Sequence, residues 1–202
     1  MNWDWFKTFS KENPKFWENY LSSFEIPQND ETKYIVFDCE TTGLNIETDR
    51  ILSIGAVAIE NSQIIVSDFF EIFLKQDVFN AESVEFHGIL KEGKEEKFVE
   101  AEAIIQFLKF VKNATLVGHQ INFDIEMINE ALSRLNLGAL KNQYMDIGLM
   151  HQKFIDDTSI ESISLDELCK TYKVKKNGRH TASGDAYITA LLFLKLKKKL
   201  NI

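Results

Sequence analysis

Asp38 and Glu40 close a run of strand-forming residues, Tyr34-Ile35-Val36-Phe37, and lead directly into Thr41-Thr42-Gly43-Leu44. A strand's period of two puts both carboxylates on one face, about 6.6 Å apart along the chain. Like charges at a half-buried position repel each other and lose hydration, so the pair requires a compensating cation or a shared proton. The spacing lets the two carboxylates splay across a pair of hard cations roughly 3.5–4 Å apart. Thr41-Thr42-Gly43 then ends the strand. A glycine after two hydroxyl residues lets the backbone turn tightly and present N–H groups to an anionic ligand.

Two more carboxylates and one imidazole complete a candidate set. Asp124 and Asp185 each fall early in an expected helix, after a loop that can carry them to the end of the first strand. Four carboxylates supply oxygen ligands only, which select hard cations such as Mg²⁺ or Mn²⁺ over zinc. His180 stands five residues before Asp185. On one continuous helix the two would point about 140° apart. If both face one site, His180 must sit on the loop just ahead of the helix, where an imidazole beside cation-held water is suited to act as general base.

The elements that must position these groups follow from periodicity. Arg50 to Glu60 and Gln63 to Leu74 read as two further strands, separated by a turn at Asn61-Ser62, so the first three strands form an antiparallel meander. Ala81 to Leu90 is short helical or irregular chain, and the charged run Lys91 to Lys97 reads as a solvated loop. Phe98 to Lys112 carries Ala101, Ile104, Ile105, Leu108 and Val111 at helical spacing. Thr115 to Gly118 is a short buried strand, followed by a helix through Leu135 for which Asn122 is the expected N-cap; Asp124 would then lie in its first turn. Gln143 to Met145 reads as a brief strand and Asp146 to Phe154 as a short helix. Ser164 caps the next helix, and Thr181 or Ser183 starts the last one, apolar nearly all round from Ala186 to Leu194. This order gives a mixed-sheet α/β domain flanked by helices.

Residues 1–32 differ in character and are read as an aromatic-rich helical extension preceding a domain over 33–202. Phe16, Trp17, Tyr20, Leu21 and Phe24 form an amphipathic stripe that must dock on the chain's own domain, on a partner such as a polymerase, or on a second copy. Pro27 to Asp30 reads as a linker.

Bulk properties narrow the class. In 202 residues, 45% hydrophobic, there is material for one well-filled core. Only Cys39 and Cys169 are present, which argues against a disulfide framework or a thiolate zinc site and fits a reducing compartment. With no run approaching 18 apolar residues and no signal-peptide pattern at the start, a cytoplasmic protein without membrane contact is expected. The net charge is −8, but unevenly spread: residues 170–202 hold nine Lys and Arg against Asp185 alone. Lys173, Lys175, Lys176 and Arg179 lead into His180, and Lys175, Lys176 and Arg179 are expected to meet backbone phosphates. Lys195 and Lys197 to Lys199 complement the dipole at the end of the last helix.

The order D-x-E-T-T-G-L, then H-x-x-x-F-D, then H-x-x-x-x-D before the last helix resembles the DEDDh (DnaQ-like) 3′–5′ exonucleases, which include the proofreading epsilon subunit of bacterial DNA polymerase III and RNase T. The resemblance spans residues 33 to about 196. It implies a ribonuclease H-like fold, two divalent cations held by Asp38, Glu40, Asp124 and Asp185, and His180 as the base that deprotonates the attacking water. It further implies that Thr41, Thr42, Gly43 and Leu44 hold the terminal nucleotide and wedge a base, and that His87 contacts the nucleotide. Gln120 departs from the H-N-x-x-F-D usual in relatives. Asp146 matches a common Asp that is not a ligand, His119 is expected to hold a hydrogen bond beside the site, and His151 to lie on a helix surface.

The leading expectation is a metal-dependent exonuclease that releases nucleoside monophosphates from the 3′ end of DNA, preferably single-stranded. An RNA-trimming enzyme of the same family, or a polymerase-associated subunit acting mainly through binding, are the alternatives.

Overall fold

The computed structural model describes residues 13–25, 33–78, 80–91, 93–157 and 162–202. Strands β1 (Tyr34–Thr41), β2 (Ile51–Glu60) and β3 (Gln63–Leu74) form the expected meander, with β1 antiparallel to β2 and β2 to β3. On its other side β1 pairs in parallel with β5 (Thr115–Gly118), and β5 with β6 (Tyr144–Asp146). A two-residue strand β4 (Lys97–Phe98) adds to the outer edge of β3, so the sheet runs β4-β3-β2-β1-β5-β6. The end of the Lys91–Lys97 run thus pairs as strand rather than lying wholly in a loop. A strand of two residues has no period for a sequence to display.

Alternation along β1 divides its side chains between two cores. Ile35, Phe37 and Cys39 face a cluster built with α3 (Glu100–Val111) and α4 (Ile121–Arg134). Val36 faces the other, built with α5 (Ile147–Ile155), α6 (Leu165–Tyr172) and α7 (Ala182–Leu200). Asp38 and Glu40 continue the register of Val36 and so emerge at the end of β1 on the α7 face.

Helix ends account for where the functional loops begin. Ser164 and Glu167 form a reciprocal capping box at α6, and Thr181 caps α7 by accepting from the Gly184 N–H. The N-cap of α4 is Gln120 rather than Asn122: the helix starts at Ile121 because Gln120 takes a left-handed conformation and breaks the chain there. Asp124 still lies in the first turn.

Helix α1 (Lys15–Ser22) is the described part of the N-terminal segment. Trp17 and Tyr20 are buried in the same cluster as α3 and α4, with Phe16, Leu21 and Phe24 packed partly against it. The Tyr20 hydroxyl donates to Asn142 Oδ1 at 2.7 Å and accepts from the Lys141 N–H at 2.8 Å, while burial pushes its pKa up to about 12. The aromatics Trp3, Trp5, Phe6 and Phe9 and the linker expected at Pro27 to Asp30 lie outside the described residues.

Tyr20→Phe leaves a buried amide oxygen and a backbone N–H without their partner, at a cost of about 1–3 kcal/mol. Trp17→Ala should cost more, about 3–5 kcal/mol. Denaturant melts of both variants check the order.

Candidate active site

Four features of backbone geometry bring the acidic residues together. In the β1–β2 register Asp38 stands opposite Gly55. A Cβ at Gly55 would collide with the backbone of Ala182 and Ser183, so the missing side chain is what lets the first turn of α7 lie directly on β2. That turn carries Asp185 to the end of β1. Asp38, Glu40 and Asp185 accordingly offer carboxylate oxygens that all lie within 4.8 Å of one another.

Asp124 arrives from the other core. Its Oδ1 accepts from the Cys39 N–H at 3.0 Å, which ties the first turn of α4 to β1 between the two strand carboxylates. Asp146, at the end of β6, fixes the start of the same helix. Its Oδ2 accepts from the Ile121 N–H at 3.0 Å, and its Oδ1 from Gly148 and Leu149 N–H at 2.7 and 3.1 Å. One side chain therefore caps the N-termini of α4 and α5 together. Gln120 is exposed and makes no side-chain cap bond.

The electrostatics show the expected conflict. Asp38 is held well above the ordinary carboxylate range by burial and then by the neighbouring charges of Asp124, Asp185 and Glu40. Burial likewise pushes Glu40 up to about 7 and Asp124 up to about 8. The Cys39 thiol is also driven well upward, so it stays protonated beside them. Asp185 is buried; its Oδ1 has no hydrogen-bond partner among the described residues, and its Oδ2 is held by the Arg179 guanidinium and, at 3.3 Å, the His180 N–H. An orphaned carboxylate oxygen within an all-oxygen donor group fits a hard divalent cation. Arg179 supplies part of the missing positive charge.

His180 lies on the loop ahead of α7, as its spacing from Asp185 requires. Its backbone is left-handed at φ 62°, its N–H lies 3.3 Å from Asp185 Oδ2, and the residue is exposed. Leu44, 85% exposed, projects from the β1–β2 loop. Asp49 braces that loop, accepting from Thr42 Oγ1 at 2.6 Å and from the Asn45 N–H at 2.9 Å. Thr41 Oγ1 donates to the Gly43 carbonyl at 2.7 Å. A Cβ at Gly43 would press on the Asp49 carboxylate.

Other expected contacts sit differently. His87 ends α2 (Ala81–His87), is buried, and uses both ring nitrogens locally: Nδ1 accepts from the Ile89 N–H at 2.9 Å and Nε2 lies 3.1 Å from Ser83 Oγ. Lys176 and Arg179 both pair with Asp166, at 2.7 and 2.8 Å, which leaves Lys175 the one of the three without a carboxylate partner among the described residues. His119 bonds the Ile163 carbonyl at 2.7 Å, close to expectation. His151 is buried rather than on the surface, with Nδ1 2.6 Å from the Tyr172 hydroxyl. A contact between two helices far apart in sequence left no local signal for it. Gly55, Asp49, Asp146 and Asp166 were not singled out as positioning residues from sequence; only their tertiary partners reveal the roles.

The exonuclease family model, of the RNase T type, matches residues 35–193. This chain belongs to the exonuclease family. DNA polymerase III PolC-type of Caldanaerobacter subterraneus subsp. tengcongensis is 33% identical over 172 residues, covering 85% of this chain and 12% of that protein. The PolC-type enzyme of Latilactobacillus sakei is 29% identical over 171 residues, covering 83% and 11%. The chain thus spans about an eighth of the length of these relatives. In structure it is similar to the zinc-ion-bound form of the E. coli exonuclease I–ssDNA complex (TM-score 0.72, 17% identity, 84% of this chain and 41% of that one). It is also similar to exonuclease X in complex with 5′ overhanging duplex DNA (TM-score 0.65, 19% identity, 84% and 93%). The exonuclease domain therefore has the ribonuclease H-like fold expected, and the DnaQ-like 3′–5′ exonuclease resemblance holds. Among its described residues no helix is long and apolar enough to cross a membrane.

Carboxylates whose pKa values rise on folding bind more protons in the folded chain than in the unfolded one. Cation-free stability contributed by these groups is therefore greatest at low pH. It falls as pH climbs from the ordinary values of 3.8 and 4.5 through about 7 for Glu40 and about 8 for Asp124. Over that window the metal-free exonuclease should lose on the order of a few kcal/mol. Asp38→Asn should reduce the loss and raise the melting temperature at pH 8, as thermal melts in chelator across the pH range would show.

Proposed function

We propose that this domain is a metal-dependent 3′–5′ exonuclease that removes nucleoside monophosphates from the 3′ end of DNA, and that residues 1–32 form an extension to the catalytic unit at 33–202. The observation that carries the reading is the gathering of Asp38, Glu40 and Asp185 within 4.8 Å, beside a buried Asp124. These four residues are the ligands for two divalent cations, Mg²⁺ or Mn²⁺. When bound, such ions lower the pKa of water and neutralise charge on the scissile phosphate and the leaving 3′ oxygen.

The chain's own groups do the rest. His180, outside the ligand set and exposed at its edge, takes the proton from the attacking water and passes it to solvent. The Thr42–Leu44 loop, braced by Asp49, presents Leu44 against the terminal base, a contact that works on any sequence. Thr41 and Gly43 shape the same turn for the terminal nucleotide. His87 supports this edge of the pocket through its buried bonds rather than by an exposed donor. Arg179, with Lys175 and Lys176 beside it in sequence, is the cationic group placed to meet a substrate phosphate at the carboxylates.

DNA is the substrate class supported by the relatives and neighbours: the former are DNA polymerases, and the latter were captured on ssDNA and on overhanging duplex DNA. The same relatives, DNA polymerase III PolC-type proteins, support association with a DNA polymerase.

The purified chain should shorten a 5′-labelled single-stranded DNA stepwise from the 3′ end in Mg²⁺ or Mn²⁺, and chelation should stop it. His180→Ala should lower the rate by a factor of about 10²–10⁴ while leaving Mn²⁺ affinity nearly unchanged. Equal losses of rate and of metal affinity would make His180 a ligand instead. Faster shortening of a matched RNA than of the DNA would favour the trimming enzyme.

A further inference from the structure

A second basic feature lies at the far end of the domain from the carboxylates. Where the end of α6 meets the last turns of α7, Thr171, Tyr172, Lys173, Lys195, Lys198 and Lys199 line a hollow of about 430 Å³. All four lysines are exposed. Among the described residues none of them has a carboxylate at ion-pair distance, in contrast to Lys176 and Arg179, which Asp166 engages. Lys199 instead lies over the Phe154 ring, 4.7 Å from its centroid. The dipole at the end of α7 accounts for lysines in its last turn, but not for Lys173, which comes from another element and turns left-handed (φ 53°) at the close of α6. Four ammonium groups around one concavity, none with a carboxylate partner among the described residues, draw polyanions to this surface even on a chain of net charge −8.

The path between this hollow and the active site identifies the anion. Lys173 opens the loop that ends at Arg179 and His180 beside Asp185, and the exposed Lys175 stands between. Lys198 is thirteen residues beyond Asp185 on α7, about 20 Å along the helix axis. A basic track therefore runs from the carboxylates to the hollow along one short connection. We propose that the hollow of Lys173, Lys195, Lys198 and Lys199 is a second nucleic-acid site, holding backbone phosphates of the strand upstream of the 3′ end being hydrolysed. The proposal rests on the exonuclease reading, because that reading sets which end of the strand lies at Asp185. An acidic segment of a partner protein would share the charge but has no reason to follow the loop toward the carboxylates.

The test compares the full chain with Lys195→Glu/Lys198→Glu and with the milder Lys195→Gln/Lys198→Gln, by fluorescence anisotropy on single-stranded DNA in Ca²⁺ to limit cleavage. Oligonucleotides of about 4 and about 16 nucleotides separate a strand confined to the active site from one long enough to reach the hollow. For the long oligonucleotide, charge reversal should lower affinity roughly tenfold at low salt and flatten the log–log salt slope by about 1.4, the effect of two lost phosphate contacts on a single strand. The Gln pair should move both in the same direction, and affinity for the short oligonucleotide should change less than about twofold. Unchanged affinity and slope for the long oligonucleotide in both variants would overturn the proposal. So would a loss seen only with poly-glutamate, which would assign the hollow to an acidic protein. Failure of the wild type to hydrolyse DNA from its 3′ end in Mg²⁺ would sink the exonuclease reading separately, since the binding comparison involves no turnover.

Discussion

Carboxylates that repel one another are held together at the end of β1, and much of the local architecture counters that repulsion. Asp38, Glu40 and Asp185 converge within 4.8 Å, and burial and mutual charge drive Asp38 far from its ordinary range. Left to itself such a group would separate, take up protons or acquire a cation. Separation is blocked by contacts made through backbone. The first turn of α7 is pressed onto β2 because Gly55 offers no side chain, and Asp124 is anchored by the Cys39 N–H. Protons and Arg179 are then the internal means of relief, and divalent cations are the external one.

The positioning groups share a common design, in which one carboxylate holds two partners. Asp146 caps two helices at once, so the start of α4 is tied to β6 and α5. Asp49 joins Thr42 to the Asn45 N–H across the β1–β2 loop. Asp166 gathers Lys176 and Arg179, which sets the conformation of the loop before His180. Each of these acids would read as an ordinary loop or helix-start residue if its partner segment were removed.

Much of the fold was legible because it rests on local patterns. Alternation along Tyr34 to Glu40 announced the shared face of Asp38 and Glu40, and the turn at Asn61-Ser62 announced the meander. The expectation that His180 precedes the last helix came from the 3.6-residue period together with the capping residues Thr181 and Ser183. What escaped was non-local. Gln120 rather than Asn122 begins α4 because a left-handed residue, not a side-chain cap, ends the preceding loop. His151 is buried because Tyr172, 21 residues later, reaches its ring. β4 has only two residues and exists through its pairing with β3. Gly55 looked like any strand glycine, although the placement of Asp185 depends on it.

The central claim is that this acidic cluster is built to be completed by cations, and proton exchange on binding tests it directly. Glu40 and Asp124, pushed to about 7 and about 8, are substantially protonated at neutral pH in the cation-free protein. A cation can occupy the cluster only by displacing those protons. Calorimetric titration of Mn²⁺ at pH 7, repeated in two buffers of different ionisation enthalpy, should show saturable binding with the release of about one proton or more per chain. Binding that releases no protons, or the absence of saturable binding altogether, would contradict it.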